Sequence, residues 1–343
     1  MIQEYFRLEA RKRWGAVLLL TAVVAVSLFY LSVGVISISF GEILSLLFGQ
    51  TRVENPVHRV TLFSIRLPRL IAALMVGSGL ALSGATYQSL FQNRLADPFT
   101  TGVSAGAVLG CTVALILGFN QGVLGLGGLT FFAFLGALGT SVMVFLVLGV
   151  LKRASSVTIL LIGISLNFFL SAVVSLLLFL HRNRIESIVL WTMGSIATAT
   201  SEKVLFSLPI LGLGGGALFL YARTLDYLFL GEEFARLHGI AVERTRFFLI
   251  LFASLVASVC VALSGIVGFV GLVTPNMARL LVGSKHRMVL GYSALLGALF
   301  FLGSDLLART LLSPAEIPIG ILTSLIGVPV FAALIWKYSR RIY

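Results

Sequence analysis

Long apolar runs separated by short polar or glycine-rich breaks organise this chain. Residues 14–36 form the first run, behind a basic amphipathic leader that ends in Arg11, Lys12 and Arg13. The run is long enough to span a bilayer and carries no clear small-residue cleavage site, so it reads as a transmembrane helix and not as a signal peptide. Residues 37–65 read as a polar connection with a short surface helix at 43–48. The second run, 70–90, contains Gly77, Ser78, Gly79, Ser83, Gly84 and Ala85, where another helix can come close. Gln92, Asn93, Arg94, Asp97 and Pro98 then interrupt it, and a short span follows at 100–119. A helix that breaks at membrane depth is tolerated where it lines a cavity or meets protein, which makes this stretch a candidate pore wall.

A glycine-rich turn at 122–128 leads to spans at 129–151, 158–180 and 204–221, and residues 223–246 are the longest strongly charged segment. Residues 247–282 are too long for one span and short for two, with Arg279 the one charge inside. The flanking clusters Arg236, Arg244, Arg246 and Lys285, Arg287 belong on one side, so this segment crosses twice, turning through Gly265, Gly268, Gly271 and Pro275. Spans at 289–307 and 317–336 complete a prediction of ten. With both termini cytoplasmic, basic residues are more numerous inside than outside, yet Arg52, Arg59, Arg66, Arg69, Arg182, Arg184, Lys203 and Arg309 stay outside and need their own explanation.

Composition agrees with the pattern. At 58% hydrophobic and 11% charged residues the chain is an integral membrane protein and not a soluble domain. Continuous runs in place of strict alternation make it all-α and not a barrel. The net charge of +12 is spread singly or in small clusters between apolar runs, so it marks membrane sidedness and not a nucleic-acid face. Cys111 and Cys260 both lie inside apolar runs, which indicates neither a disulfide framework nor a metal site. No cofactor is implied.

Function classes separate on energy supply. No GxxxxGK[ST] phosphate loop is present, so this chain does not cradle nucleotide in that way. An ion-coupled carrier needs ionisable groups within the membrane, and Asp305 is the one carboxylate deep in a predicted span, with Asp97 at a break. A membrane enzyme needs convergent catalytic groups, and the spans offer scattered Ser, Thr and Asn. Ala81-Leu82-Ser83-Gly84 recurs as Ala262-Leu263-Ser264-Gly265, each followed by a proline-containing break, at Pro98 and Pro275. The two spans cross in opposite directions, the pattern of an inverted repeat with halves at about 14–190 and 203–336 in a single transmembrane domain of residues 1–343.

RLPRLIAALMVGSGLALSGATYQSLFQNRLADPFTTGVSAGAVLG, GEEFARLHGI, ALSGIVGFVGLVTPNMARL and AEIPIGILTSLIGVPVFAALIWK, in that order, resemble the FecCD-type permeases, membrane subunits of type II ATP-binding-cassette (ABC) importers for iron-siderophores, haem and cobalamin. The resemblance implies a ten-helix inner-membrane subunit that forms a homodimer around a central path and does no chemistry itself. Its partners would be two ABC ATPase subunits and a periplasmic or lipid-anchored substrate-binding protein. It also implies roles for individual residues. Gly231, Glu232, Glu233, Phe234, Ala235, Arg236, Leu237, His238 and Gly239, within a pair of short helices at 231–246, match the element that couples to the ATPase. Gly231 suits a cap there, Glu232 and Glu233 a first turn where the helix dipole favours acids, and Gly239 a stop, with a second short turn from Val242. Arg66, Arg69 and Arg309 match arginines that meet acidic residues of the binding protein, as exposed rim charges. Asn93 and Leu95 match residues that close the cytoplasmic end of the path, with Ser155 and Ser156 at a second constriction. The family motif GFVGLxxPHxxR has Asn276 here in place of its His, so no role of that imidazole carries over. His58, His181, His238 and His286 are all expected in loops, which places ferric siderophore first as cargo, cobalamin second, and haem or an oxyanion behind them.

Overall fold

The computed structural model describes residues 2–48, 56–119, 127–150 and 156–339. In chain order the helices are α1 (Ile2–Ser32), α2 (Phe40–Leu47), α3 (Pro56–Val60), α4 (Leu67–Leu90), α5 (Val103–Leu117), α6 (Gly128–Val150), α7 (Ser156–Leu180) and α8 (Ile185–Thr192). Then come α9 (Ser201–Leu220), α10 (Ala222–Phe229), α11 (Glu232–Leu237), α12 (Val242–Ser264), α13 (Val270–Val282), α14 (His286–Thr310) and α15 (Ile319–Ser339). Among the described residues, seven helices are long and apolar enough to cross a membrane, and three shorter apolar ones, α5, α13 and the Gly128–Val144 part of α6, accompany them. The described residues form no strand.

Helix α4 is the hub. From Gly79 to Leu90 every one of its residues is buried. Helices α12 and α14 run antiparallel to it: Ser83 Oγ donates to Ala253 O at 2.7 Å, Cys260 lies against Met75, and Gly77 meets Gly297. Helix α13 runs parallel to it, with Gly84 against Gly271 and Gln88 against Arg279. Lipid tails are as apolar as the helix faces, so close packing of small residues supplies the association energy. A Cβ on Gly84 would stand 2.1 Å from Gly271 O, and one on Gly77 2.4 Å from Gly297 O. The small residues expected to admit a neighbour do so. The same device joins α5 to α6, where Gly110 meets Phe132 O.

Three boundaries differ from the expectation. The second span starts at Pro56, because α3 continues through a π-helical turn, Thr61–Arg66, into α4 to make one run of 35 residues. Pro68 sits at the start of α4, where its missing N–H is accommodated by that wider turn. Val242 does not open a second short turn but begins the long α12, while α10 is a short helix that was not anticipated. Gly265 (φ 68°) ends α12 and Phe269 (φ 68°) precedes α13, so the chain turns at 265–269, and Gly271 and Pro275 belong to α13. At 13 residues α13 is about 20 Å long, shorter than the hydrocarbon core of about 30 Å, and near its start Gly271 packs between Leu80 and Gly84 of α4. Together with the turn at 265–269 it returns the chain from the end of α12 to the opposite end of the bundle, where α14 begins beside Ser89. The first Ala-Leu-Ser-Gly copy lies within α4 and the second at the end of α12.

Candidate functional site

At the end of the bundle where α4 begins, the sequence places three arginines, and the structure buries two of them. Arg66 (4% exposed) donates from Nη1 to Leu31 O at 2.6 Å and Ser32 O at 3.3 Å, and from Nη2 to Ile36 O, fastening the loop after α1. Arg69 forms a fork to Asp305 on α14, Nε to Oδ2 at 3.0 Å and Nη2 to Oδ1 at 2.8 Å, and a second fork to Glu316, at 2.8 and 3.0 Å. The Tyr30 hydroxyl also donates to Asp305. Arg309 lies 3.9 Å from the centre of the Tyr30 ring and donates to Tyr30 O. Arg66 and Arg69 are therefore not free rim cations. They tie α1, α4, α14 and the approach to α15 together, and bidentate geometry of this kind is the strong form of the arginine–carboxylate pair. Three cations face two carboxylates, which leaves one positive charge in excess at this end.

At the opposite end, α4 stops at Phe91, and Gln92 (φ 50°) turns the chain out. Leu95 N donates to Asn93 Oδ1 at 2.9 Å, an Asx turn that holds Leu95 outward at 55% exposure. Asn276, the residue in place of the family His, donates from Nδ2 to Leu272 O at 2.8 Å and to Arg94 O at 3.3 Å. It thus braces this loop from α13. Asp97 caps the next short turn, Pro98–Thr101, by accepting from Phe99 N at 2.9 Å. Burial pushes the Asp97 carboxyl up to about 6, against the lowering effect of that N–H. Ser155 lies outside the described residues, and Ser156 opens α7.

The same end carries α11. Gly231 (φ 126°) precedes it in a conformation that favours glycine, and Gly239 (φ 76°) follows it, as the sequence suggested. Glu232, in the first turn, pairs with Arg246 of α12, and Arg236 donates to Glu243 at 2.8 Å. The rings of Phe234 and His238 lie 4.3 Å apart, tilted by 41°, with Tyr227 of α10 5.0 Å from His238. Ala235 is buried, whereas Leu237 (85% exposed) and Leu230 (66%) stand out beside a surface hollow edged by Glu232, Glu233 and Phe234.

A largely buried polar chain connects α10 to the end of α4. His286 sits at the start of α14, buried and not in a solvated loop as expected. Its Nδ1 is 2.7 Å from Asp226 Oδ1 on α10, and its Nε2 is 2.6 Å from Ser89 Oγ on α4. Arg279 of α13 donates to Gln88 and, at 3.2 Å, to Ser89 Oγ. Sequence reasoning missed Gln88, Ser89, Asp226 and His286 and left Arg279 unassigned. These partners lie 60 to 197 positions apart and no local signal joins them.

On the flank of the bundle, Thr192 and Met193 after α8, Ile266, and Ser324 and Leu325 of α15 edge a cavity of about 490 Å3. Helices α7 and α15 are each only 22% buried along their apolar windows, so their outer faces are covered by something other than this chain. No group of three His, Cys, Asp or Glu able to hold a metal occurs among the described residues.

The described residues form an all-helical bundle around α4, with a turn after its end and a short helix, α11, at that same end, the architecture of a multi-pass membrane protein. Residues 19–337 match the model of the FecCD transport family, and the chain belongs to that family. It is 38% identical over 331 residues to the molybdate import system permease MolB of Haemophilus influenzae, covering 95% of this chain and 96% of that one. It is 36% identical to the hemin transport system permease HmuU of Yersinia pestis, covering 98% of each. A solved structure described as an inward-facing conformation of a metal-chelate type ABC transporter superposes with a TM-score of 0.82 at 37% identity, covering 94% of this chain and 98% of that one. The chain is a multi-pass ABC importer permease and not an enzyme.

Proposed function

We propose that two copies of this chain form the translocation path of an importer that takes up a ferric siderophore-like chelate. The cargo is handed over by a substrate-binding protein, periplasmic or lipid-anchored, at the Arg66–Arg69–Arg309 end. Two ABC ATPase subunits seat on α11 from the cytoplasm, where both termini also lie. The observation that carries this reading is α11 itself: a six-residue helix paired to α12 through Arg246 and Glu243, presenting Leu237 bare, with Leu230 from the end of α10, beside an acidic hollow. An exposed apolar knob on a braced helix suits a partner's groove. The buried chain Asp226–His286–Ser89 supports a path for force from α11 to the end of α4, next to Asn93 and Leu95, the residues assigned to the cytoplasmic gate with Ser155 and Ser156.

The three arginines enter docking in a changed form. Arg69 is committed to Asp305 and Glu316, so acids on the binding protein would meet the excess positive charge of the cluster rather than a free side chain, and such charges act mainly on encounter and orientation. A molybdate-type oxyanion is the second reading of the cargo, favoured by the identity to MolB along nearly the whole chain.

The deciding experiment reconstitutes the chain in proteoliposomes with its ATPase and binding protein and measures uptake of radiolabelled ferric hydroxamate against labelled molybdate. ATP-dependent ferric uptake, lost in Leu237→Asp because the ATPase no longer binds, is expected. Uphill accumulation by the chain alone on a cation gradient would overturn the reading.

A further inference from the structure

A cleft between α1 and the α13–α14 pair takes no part in the functions above. It encloses about 410 Å3. Its floor is a helix crossing: the Tyr292 hydroxyl of α14 donates to Lys12 O of α1, and Gly15 faces that hydroxyl so closely that a Cβ there would stand 2.5 Å away. Arg11 and Lys12 lie at one end of the cleft, Leu18 and Leu19 lie about two turns further along α1, and Leu281 of α13 completes the apolar lining. Along a helix, seven residues advance about 10 Å, so the cationic end and the apolar end differ in depth by about that much.

The cleft also has a definite level in the bilayer. Tyr292 lies within two turns of His286, which is bound to Asp226 of α10, and Leu281 lies in the last turn of α13, so the cleft is at the α11 end of the bundle. Arg11 and Lys12 stand where the α1 span begins, at Ala10, and Trp14, 73% exposed, projects one turn further in. Trp at that level marks the membrane–water boundary. Leu18 is 70% exposed and Leu281 58%, so the apolar walls are bare. Arg11 and Lys12 make no ion pair among the described residues. An occupant must therefore carry negative charge at the boundary and an apolar chain about 10 Å deeper, in one molecule.

We propose that this cleft binds one anionic phospholipid of the leaflet on the α11 side. Arg11 and Lys12 hold its phosphate, and an acyl chain lies over Leu18, Leu19 and Leu281. The lipid acts as a wedge that seats α1, only 17% buried along its apolar window, against α13 and α14. Basic pockets between helices at this level are the usual form of headgroup recognition.

Native mass spectrometry of the detergent-purified chain tests this, with phosphatidylglycerol, phosphatidylcholine and inorganic phosphate as separate probes. One phosphatidylglycerol retained in preference to phosphatidylcholine, and no retained phosphate, is expected. Arg11→Gln with Lys12→Gln should weaken phosphatidylglycerol retention about twenty-five-fold, at roughly five-fold per cation near a membrane surface, and leave phosphatidylcholine unchanged. Leu281→Trp fills the apolar wall, leaves both cations in place, and should also lower phosphatidylglycerol retention. Because Leu281 is exposed, that variant folds irrespective of the lipid, and the continued burial of Cys111 and Cys260 checks folding in every case. Equal retention of the two lipids, retention of phosphate alone, or retention unaffected by both variants would overturn the proposal.

Discussion

Asp305→Ala tests whether the arginine cluster is a structural clamp. Asp305 is 1% exposed and accepts two bonds from Arg69 and one from Tyr30, so truncating it leaves a guanidinium and a phenol facing each other without their acceptor. Removing one partner of a buried pair costs about 3 to 5 kcal/mol. Glu316, with 40% of its side chain exposed, still accepts from Arg69 and softens the loss, so the lower end of that range is expected. Glu316→Gln should cost no more than about 1 kcal/mol, the scale of an exposed pair. Asp305→Leu combined with Arg69→Met removes both charges together, and it should restore most of the stability because the desolvation cost of two buried ions goes with them. The assay is thermal unfolding in detergent followed with a thiol-reactive dye, since Cys111 and Cys260 are both buried and react only when the bundle opens. An unchanged midpoint in Asp305→Ala, or a double variant as unstable as the sum of the singles, would refute the clamp.

Four other outcomes follow from the same geometry. Asp97 titrates higher in the folded chain than in the unfolded one, so stability is greatest below its ordinary carboxylate range and falls as pH rises to about 6, by at most roughly 3 kcal/mol; Asp97→Asn should flatten the profile in that window and leave it unaltered above. Gly84→Ala brings a methyl onto the Gly271 carbonyl and should lower the unfolding midpoint, whereas Gly216→Ala, which has open space, should not; equal midpoints would sink the close-approach argument. Leu95→Ala should leak cargo from reconstituted vesicles without ATP, and tight vesicles would count against a gate there. His286→Phe breaks both bridges from α10 to α4, so cargo moved per ATP should fall several-fold while hydrolysis continues; an unchanged ratio would remove His286 from the coupling route.

What could be read from the sequence and what could not divide along a physical line. The stop after Leu90, the cap at Gly231 and the close-packing glycines of α4 are set by a few neighbouring residues, and each is found where the local chemistry puts it. The start of the second span differs because Arg59 and Arg66 read as solvated charge, whereas Arg66 finds its acceptors in the last carbonyls of α1 and the loop that follows, 30 to 35 positions earlier. His286 and Arg279 were misread or unassigned for the same reason. A polar group inside a membrane bundle is stable only if every bond it loses to water is replaced, and its replacements are dictated by which helices cross α4, not by its sequence neighbours. The polar clusters of this chain therefore form where sequence is least informative. Each of the two polar clusters draws on four separate chain segments, and both meet on α4, so a force that tilts α4 must work against the Arg69 clamp at one end and the Ser89–His286 bridge at the other. If α4 turns as a rigid lever between them, the His286→Phe lesion and the Asp305→Ala lesion should be more than additive in transport and strictly additive in stability.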